Sequence, residues 1–291
     1  MTNEQHITRR QAVKIAGAAG AAYVLVPAAA GFSPAPALAA TARASAAKLT
    51  PELTEGPYWV NTMLRRSNMV TNSHGGGRQQ GVSLRLYINV FEASTRKPMN
   101  GLAVDIWHAN AHGLYSDESS QQAGGGISSS AGNTISDNWL RGYQITGKDK
   151  GLRKEPVQGQ VSFQTIWPGW YTGRAIHIHV RVRMLHSSGA TIAGYTTQIF
   201  FSDTDNRHVL TGAAPYNTRS PQTAPTTDEN DTVLTSADFK TNIVSVKGSI
   251  GKGYLAVFNI AADGAEVAAA GSLSRPNSGG GGGPGGPPPT A

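Results

Sequence analysis

The chain contains no cysteine. Disulfides, thiolate metal ligands and cysteine nucleophiles are therefore excluded together. Charge is also scarce, at 15% of 291 residues. Glycine and β-branched residues are abundant instead, a composition that fits an all-β protein with many turns. Long helical periodicity is nearly absent, and the best short candidate lies around Ser236–Val244. The formal net charge is +7. No basic stripe interleaved with stacking aromatics accompanies it, so nucleic acid is not an expected partner. Part of that charge sits in an N-terminal leader, and an exported basic protein accounts for the rest.

The leader is "TRRQAVKIAGAAGAAYVLVPAAAGFSPAPALAATA". Paired Arg9 and Arg10 precede a modest apolar run and then small residues, the order of a bacterial export signal of the twin-arginine type. Ala12 stands where that signal has a bulky apolar residue. Ala37-Leu38-Ala39 satisfies the small-x-small rule for cleavage. The run is Ala/Gly-rich, is broken by Pro27 and falls short of the ~20 strongly apolar residues of a membrane span. No later segment reads as a span either. The sequence thus predicts a signal over 1–39, a linker over 40–49 and one domain over 50–273. A Gly/Pro-rich tail over 274–291, which includes "SGGGGGPGGPPPTA", is too low in complexity to bury a core. Export through the twin-arginine translocation machinery implies an extracellular or cell-surface location. That route carries folded proteins, often with a cofactor already in place.

Between the leader and the tail, strand signals repeat. In "GVSLRLYINVFEA", Val82, Leu84, Leu86, Ile88 and Val90 alternate with polar or exposed partners, and Leu102, Val104 and Ile106 do the same in "GLAVDIWHA". "VSFQTI", "IHIHVRVRM", "TTQIFFSD" and "GYLAVFNIA" continue the pattern between turn clusters of Gly, Asn, Asp and Pro. This is the signature of an antiparallel β-sandwich or barrel. Ser116–Asn138 is a long, irregular Ser/Gly-rich loop, of a length that is commonly functional.

One strand carries more than a core. Side chains alternate faces with period two, so Ile176, Ile178, Val180, Val182 and Met184 share one face. His177, His179, Arg181 and Arg183 share the other. His-x-His on a strand serves zinc, copper and iron sites alike, and such histidines also occur simply exposed or hydrogen-bonded. No carboxylate lies near the pair in sequence, but Tyr171 sits in the turn "WPGWYTG" before the strand, and Tyr115 ends "DIWHANAHGLYSD". A phenol with a pKa near ~10 is a poor zinc ligand at neutral pH. A hard trivalent cation changes that balance, so two Tyr with two His favour Fe(III).

"GLAVDIWHANAHGLYS" and "FQTIWPGWYTGRAIHIHVRV" resemble the two signature segments of the intradiol ring-cleavage dioxygenases. "EGPYWV", "WLRGYQIT" and "TTQIFFSD" match in the family's order, and the similarity covers about residues 50–263. The resemblance implies an antiparallel β-sandwich with a non-haem Fe(III) held by Tyr115, Tyr171, His177 and His179. It implies a small aromatic diol and O2 as substrates, a muconate-type diacid as product, and Tyr171 as the ligand that leaves when substrate binds. It sets the family's active-site arginine on Arg174 and its glutamine on Gln198, and it admits a homodimer. The rival reading from the residues is an exported sandwich that binds copper or zinc without dioxygenase activity. Tyr58 either walls the substrate pocket or packs. His108 and His112, four residues apart, read as strand-end or loop residues, with His112 a candidate for the pocket mouth. Asp105, between Val104 and Ile106, reads as a satisfied polar neighbour.

Overall fold

The computed structural model describes residues 48–118, 133–236 and 239–264. The expected signal, most of the linker, the Gly/Pro-rich tail and most of the Ser116–Asn138 loop lie outside the described residues. Among the described residues, nine strands form two sheets. The first sheet contains β1 (Ser83–Glu92), β4 (Gln160–Ile166), β8 (Val246–Ser249) and β9 (Gly253–Ala262), in the order β4-β1-β9-β8. The second contains β2 (Ala103–Trp107), β3 (Arg141–Ile145), β5 (His177–Leu185), β6 (Thr191–Phe201) and β7 (Ile243–Val244), in the order β3-β2-β5-β6-β7. Pairing is antiparallel except for β1 with β9 and β6 with β7, so the sandwich is locally mixed.

The alternating rows read from the sequence form the core. Leu84, Leu86, Ile88 and Val90 of β1, Ile178, Val180 and Val182 of β5, and Tyr254, Ala256, Phe258 and Ile260 of β9 belong to one buried cluster. Each large aliphatic buried there contributes about 1.5–3 kcal/mol relative to an exposed one. A connecting segment ties the sheets along one edge. Arg65 bridges to Tyr143 of β3, and Asn68 bridges to Gln164 of β4.

β2 departs from the simple alternation, because all five of its residues are buried. It lies between β3 and β5, and its second face is covered as well. The helix expected around Ser236–Val244 is a correction. Phe239–Thr241 make one 3-10 turn, and Ile243–Val244 become the edge strand β7. The longer helix is α1 (Asp203–Gly212), which follows β6 directly. Ser202 Oγ accepts from Asp205 N at its start, the usual N-terminal cap. A short helix α2 (Thr232–Thr235) follows later, capped by Asp231. Among the described residues, no helix is long and apolar enough to cross a membrane.

Candidate metal centre

The outer face of β5 holds the row His177, His179, Arg181 and Arg183, and its neighbours settle what that row does. Arg183 is buried and pairs with Asp105 of β2 through two hydrogen bonds of 2.7 and 2.9 Å. Arg181 pairs with Glu55 and lies over the Trp59 ring. The two histidines are 2% and 1% exposed, and among the described residues neither has an acidic hydrogen-bonding partner of this kind. Register sets Trp107 of β2 beside His179 on one side and Gln198 of β6 on the other. Trp107 and the His179 ring stack with centroids 4.7 Å apart and planes 5° apart.

Two loops bring the tyrosines to the same place. After β2 the chain turns at Asn110, whose Oδ1 accepts from His112 N and Leu114 N. This turn delivers Tyr115. The second loop, before β5, delivers Tyr171. The loops interlock through two glycines. A Cβ on Gly113 would lie 2.1 Å from Trp170 O, and one on Gly169 would lie 2.3 Å from Ala111 O. Only the absence of side chains lets the two backbones approach this closely.

The four side chains meet tip to tip. Tyr171 Oη lies 3.1 Å from His177 Nε2, and His177 Nε2 lies 3.0 Å from His179 Nε2. Tyr115 Oη lies 3.5 Å from both Tyr171 Oη and His177 Nε2. Donors that share one ion through bonds of about 2 Å stand about 3 Å apart, so this spacing suits a single metal. His177 Nδ1–H donates to Ala175 O at 2.6 Å, which leaves the Nε2 lone pair facing the cluster. Among the described residues no group of three or more His, Cys, Asp or Glu gathers, so the tyrosines complete this donor set.

Electrostatics inside the cluster favour neutral groups in the absence of an ion. Burial, then the charge of Arg174, pushes the His177 pKa down to about 3. Burial and the neighbouring His177 hold His179 well below its ordinary value. Burial pushes Tyr115 well above the usual phenol range, and Tyr171 upward as well. Two neutral imidazoles and two phenolic oxygens, largely buried, match a hard cation that stabilises phenolate. His179 Nδ1 is buried without a hydrogen-bond partner among the described residues, consistent with a ring held by what its Nε2 faces.

Other predicted residues surround the cluster. Arg174 donates through one terminal nitrogen to Gln198 Oε1 at 2.5 Å, and Gln198 Nε2 donates to Thr54 O at 2.7 Å. Tyr58 stacks on Tyr115 with centroids 4.4 Å apart, so it both packs and lies beside the cluster. His108 is drawn away from the cluster: it is buried, with Nδ1–H donating to Ala109 O and Nε2 accepting from Thr165 Oγ1. His112 is exposed. Asp105 is satisfied by Arg183, as the sequence suggested. Sequence reasoning missed four residues. Trp107 shares its strand alternation with Asp105 and was legible in principle. Gly56 lies against the His179 ring edge. Arg141 is buried and donates to Ser116 O and Ser116 Oγ, next to Tyr115. Asp231 binds Arg174 from 57 residues away, with no local signal.

Fold and cluster together define a β-sandwich with a buried tyrosine–histidine donor set. A family model described as "Dioxygenase" matches residues 54–244, about two thirds of the chain. The chain belongs to the intradiol ring-cleavage dioxygenases. It is similar to the solved intradiol ring-cleavage dioxygenase from Tetranychus urticae, at 27% identity and a TM-score of 0.59, over 79% of this chain and 98% of that one. A second dioxygenase crystal structure matches at 27% identity and a TM-score of 0.58, over 79% of this chain and 97% of that one. The search of curated proteins gave no match.

Proposed function

We propose that the chain opens catechol-type rings between their two oxygen-bearing carbons, using non-haem Fe(III) and O2, to give muconate-type diacids. The observation that carries this reading is the buried Tyr115–Tyr171–His177–His179 cluster, whose four donor atoms converge within hydrogen-bonding distance. Fe(III) bound there would act as a Lewis acid, taking both oxygens of the diol and making its ring electron-rich toward O2.

The roles of the residues follow from burial and charge. Tyr115 is 1% exposed, whereas Tyr171 is only partly buried. Tyr115, with the two histidines, is therefore the fixed part of the ligand set. Tyr171, the less buried of the two, would hold the ion on the substrate's side, and its oxygen would be the base that takes a proton from the incoming diol. Arg174 supplies the positive charge for the anionic ring, an electrostatic role of the oxyanion type. Gln198 orients Arg174 and walls the pocket. Tyr58, packed on Tyr115, bounds the substrate and keeps water from that ligand.

The test is a visible absorption spectrum of the purified, iron-analysed protein before and after anaerobic addition of catechol. One iron per chain, a broad tyrosinate charge-transfer band and a shift with catechol are expected. A colourless protein that holds zinc or copper overturns the reading. We also propose export by the twin-arginine route, on the strength of Arg9, Arg10 and the apolar run that follows. Export that persists when both arginines become lysine would count against it.

A further inference from the structure

Arg174 has an anchor that the reaction chemistry does not itself require. The Asp231 side chain is 0% exposed, and its carboxylate accepts four hydrogen bonds. Oδ2 accepts from Arg174 Nε at 2.9 Å and from Ala175 N at 2.7 Å. Oδ1 accepts from Val233 N at 2.8 Å and from Leu234 N at 3.0 Å, capping helix α2. Burial alone would raise the Asp231 pKa, but the Leu234 amide, Arg174 and the Ala175 amide outweigh it and hold the carboxyl below its ordinary range. Asp231 therefore stays ionised beside Arg174.

Arg174 lies beside the cluster by backbone and by side chain. It bridges to Tyr171, and its side chain bonds Gln198, the register neighbour of His179. Its guanidinium is held on two edges, by Asp231 at Nε and by Gln198 at a terminal nitrogen. Gln198 is a neutral partner that is itself tethered to Thr54 O, so the charged contact is the stronger of the two. Without the Asp231 contact the guanidinium is held on one edge only, by a neutral partner.

We infer that Asp231 is a positioning residue of this active site: a buried carboxylate that fixes the Arg174 guanidinium against the metal cluster from the N-terminus of helix α2. The inference rests on the ring-cleavage reading above. It also gives a reason for the short helix to pack, through Leu234, against Ala175 and Phe200 beside the cluster. The helix brings a charged cap that serves a second partner.

The experiment is a double-mutant cycle on the full chain. Asp231→Asn keeps one oxygen to cap Val233 and Leu234, but turns an amide NH2 toward Arg174 Nε and Ala175 N. The variant should fold, bind iron at the wild-type ratio and keep the charge-transfer band. Its kcat on catechol should fall about tenfold or more, as expected when a charged group loses its fixed position. In an Arg174→Ala background the same substitution should change kcat no further. Wild-type turnover in Asp231→Asn, or a full repeat of its loss when Arg174 is absent, overturns the inference. Asp231→Ser, which keeps a capping hydroxyl and is too short to reach Arg174, decides by the same cycle if Asp231→Asn does not fold.

A second readout needs neither iron nor turnover. In the metal-free protein the Arg174 Nε–H resonance, identified by its loss in Arg174→Ala, should be protected from solvent exchange and lose that protection in Asp231→Asn. Equal protection in both overturns the anchor. If wild-type protein opens no catechol ring, the proposed function fails, while this second readout still decides the role of Asp231.

Discussion

Replacing Gly56 by alanine should weaken the metal centre far more than it weakens the fold. Gly56 has φ +70°, a left-handed conformation, and an added Cβ would lie 3.2 Å from His179 Cε1 and 3.7 Å from Nε2. A Cβ in that conformation costs about 1–2 kcal/mol. The stiffer unfolded chain of an alanine variant returns about 0.4–1 kcal/mol, leaving a net loss near ~1 kcal/mol. For a domain of this size that is a fall of about 2–4 °C in Tm. The contact adds a separate effect. It is a few tenths of an ångström too short, and the ring face is already held by Trp107. His179 Nε2 is then displaced from the cluster, and iron affinity should fall about 10–100-fold, as it does when groups supporting a ligand are disturbed. Gly76→Ala is the control. Its φ is +72°, but nothing lies within 4 Å of the added atom. Thermal unfolding of both metal-free variants and iron titration of both should therefore diverge, with similar Tm losses and an affinity loss in Gly56→Ala alone. Equal iron affinity in the two variants refutes the reasoning.

The two tyrosines should separate in their effects. Tyr115→Phe removes a fully buried donor and should abolish tight iron binding with the far-UV circular dichroism unchanged. Tyr171→Phe should keep some iron, lose part of the charge-transfer absorption and still bind catechol. Identical iron content in wild type and Tyr115→Phe, measured by elemental analysis, would dismiss Tyr115 as a ligand. His108 should impose an acid limit on stability. Burial pushes its folded pKa down to about 4 from an unfolded value near 6.5. Below pH 6.5 the unfolded chain takes up a proton that the folded one does not, so stability falls as pH drops toward 4, by about 3 kcal/mol in total. His108→Gln should therefore show a shallower fall of Tm between pH 7 and 4.5. Parallel curves for the two proteins would refute this.

Much of the architecture is legible because a strand exposes its two faces with period two. The rows Leu84–Val90, Ile178–Val182 and Tyr254–Ile260 are the core, and the same alternation set His177 and His179 together on the opposite face. Local pattern failed where the outcome depends on neighbours. Ser236–Val244 has some helical spacing, yet Ile243–Val244 pair with β6, because an edge was open there. Helix α1 was hidden behind an apolar strand, and only its cap, Ser202 with Asp205, marked it.

The site divides in the same way. His177 and His179 belong together by spacing alone, and the turn that holds Tyr171 lies close enough to join them. The sequence therefore determined the residue types of the cluster and the face on which it forms. Spacing alone could not place Tyr115, 62 residues before His177, beside them; only the family resemblance did so. The meeting itself took the interlocked glycines Gly113 and Gly169, whose bare backbones let two distant loops touch. Nor could spacing assign Asp231 to Arg174, Trp107 to His179 or Gly56 to the ring edge. Those pairings depend on sheet register and loop closure, which bring together groups that local propensity treats as independent. Chemistry along a strand is written in its periodicity, and chemistry between strands is decided only when the sheets pack.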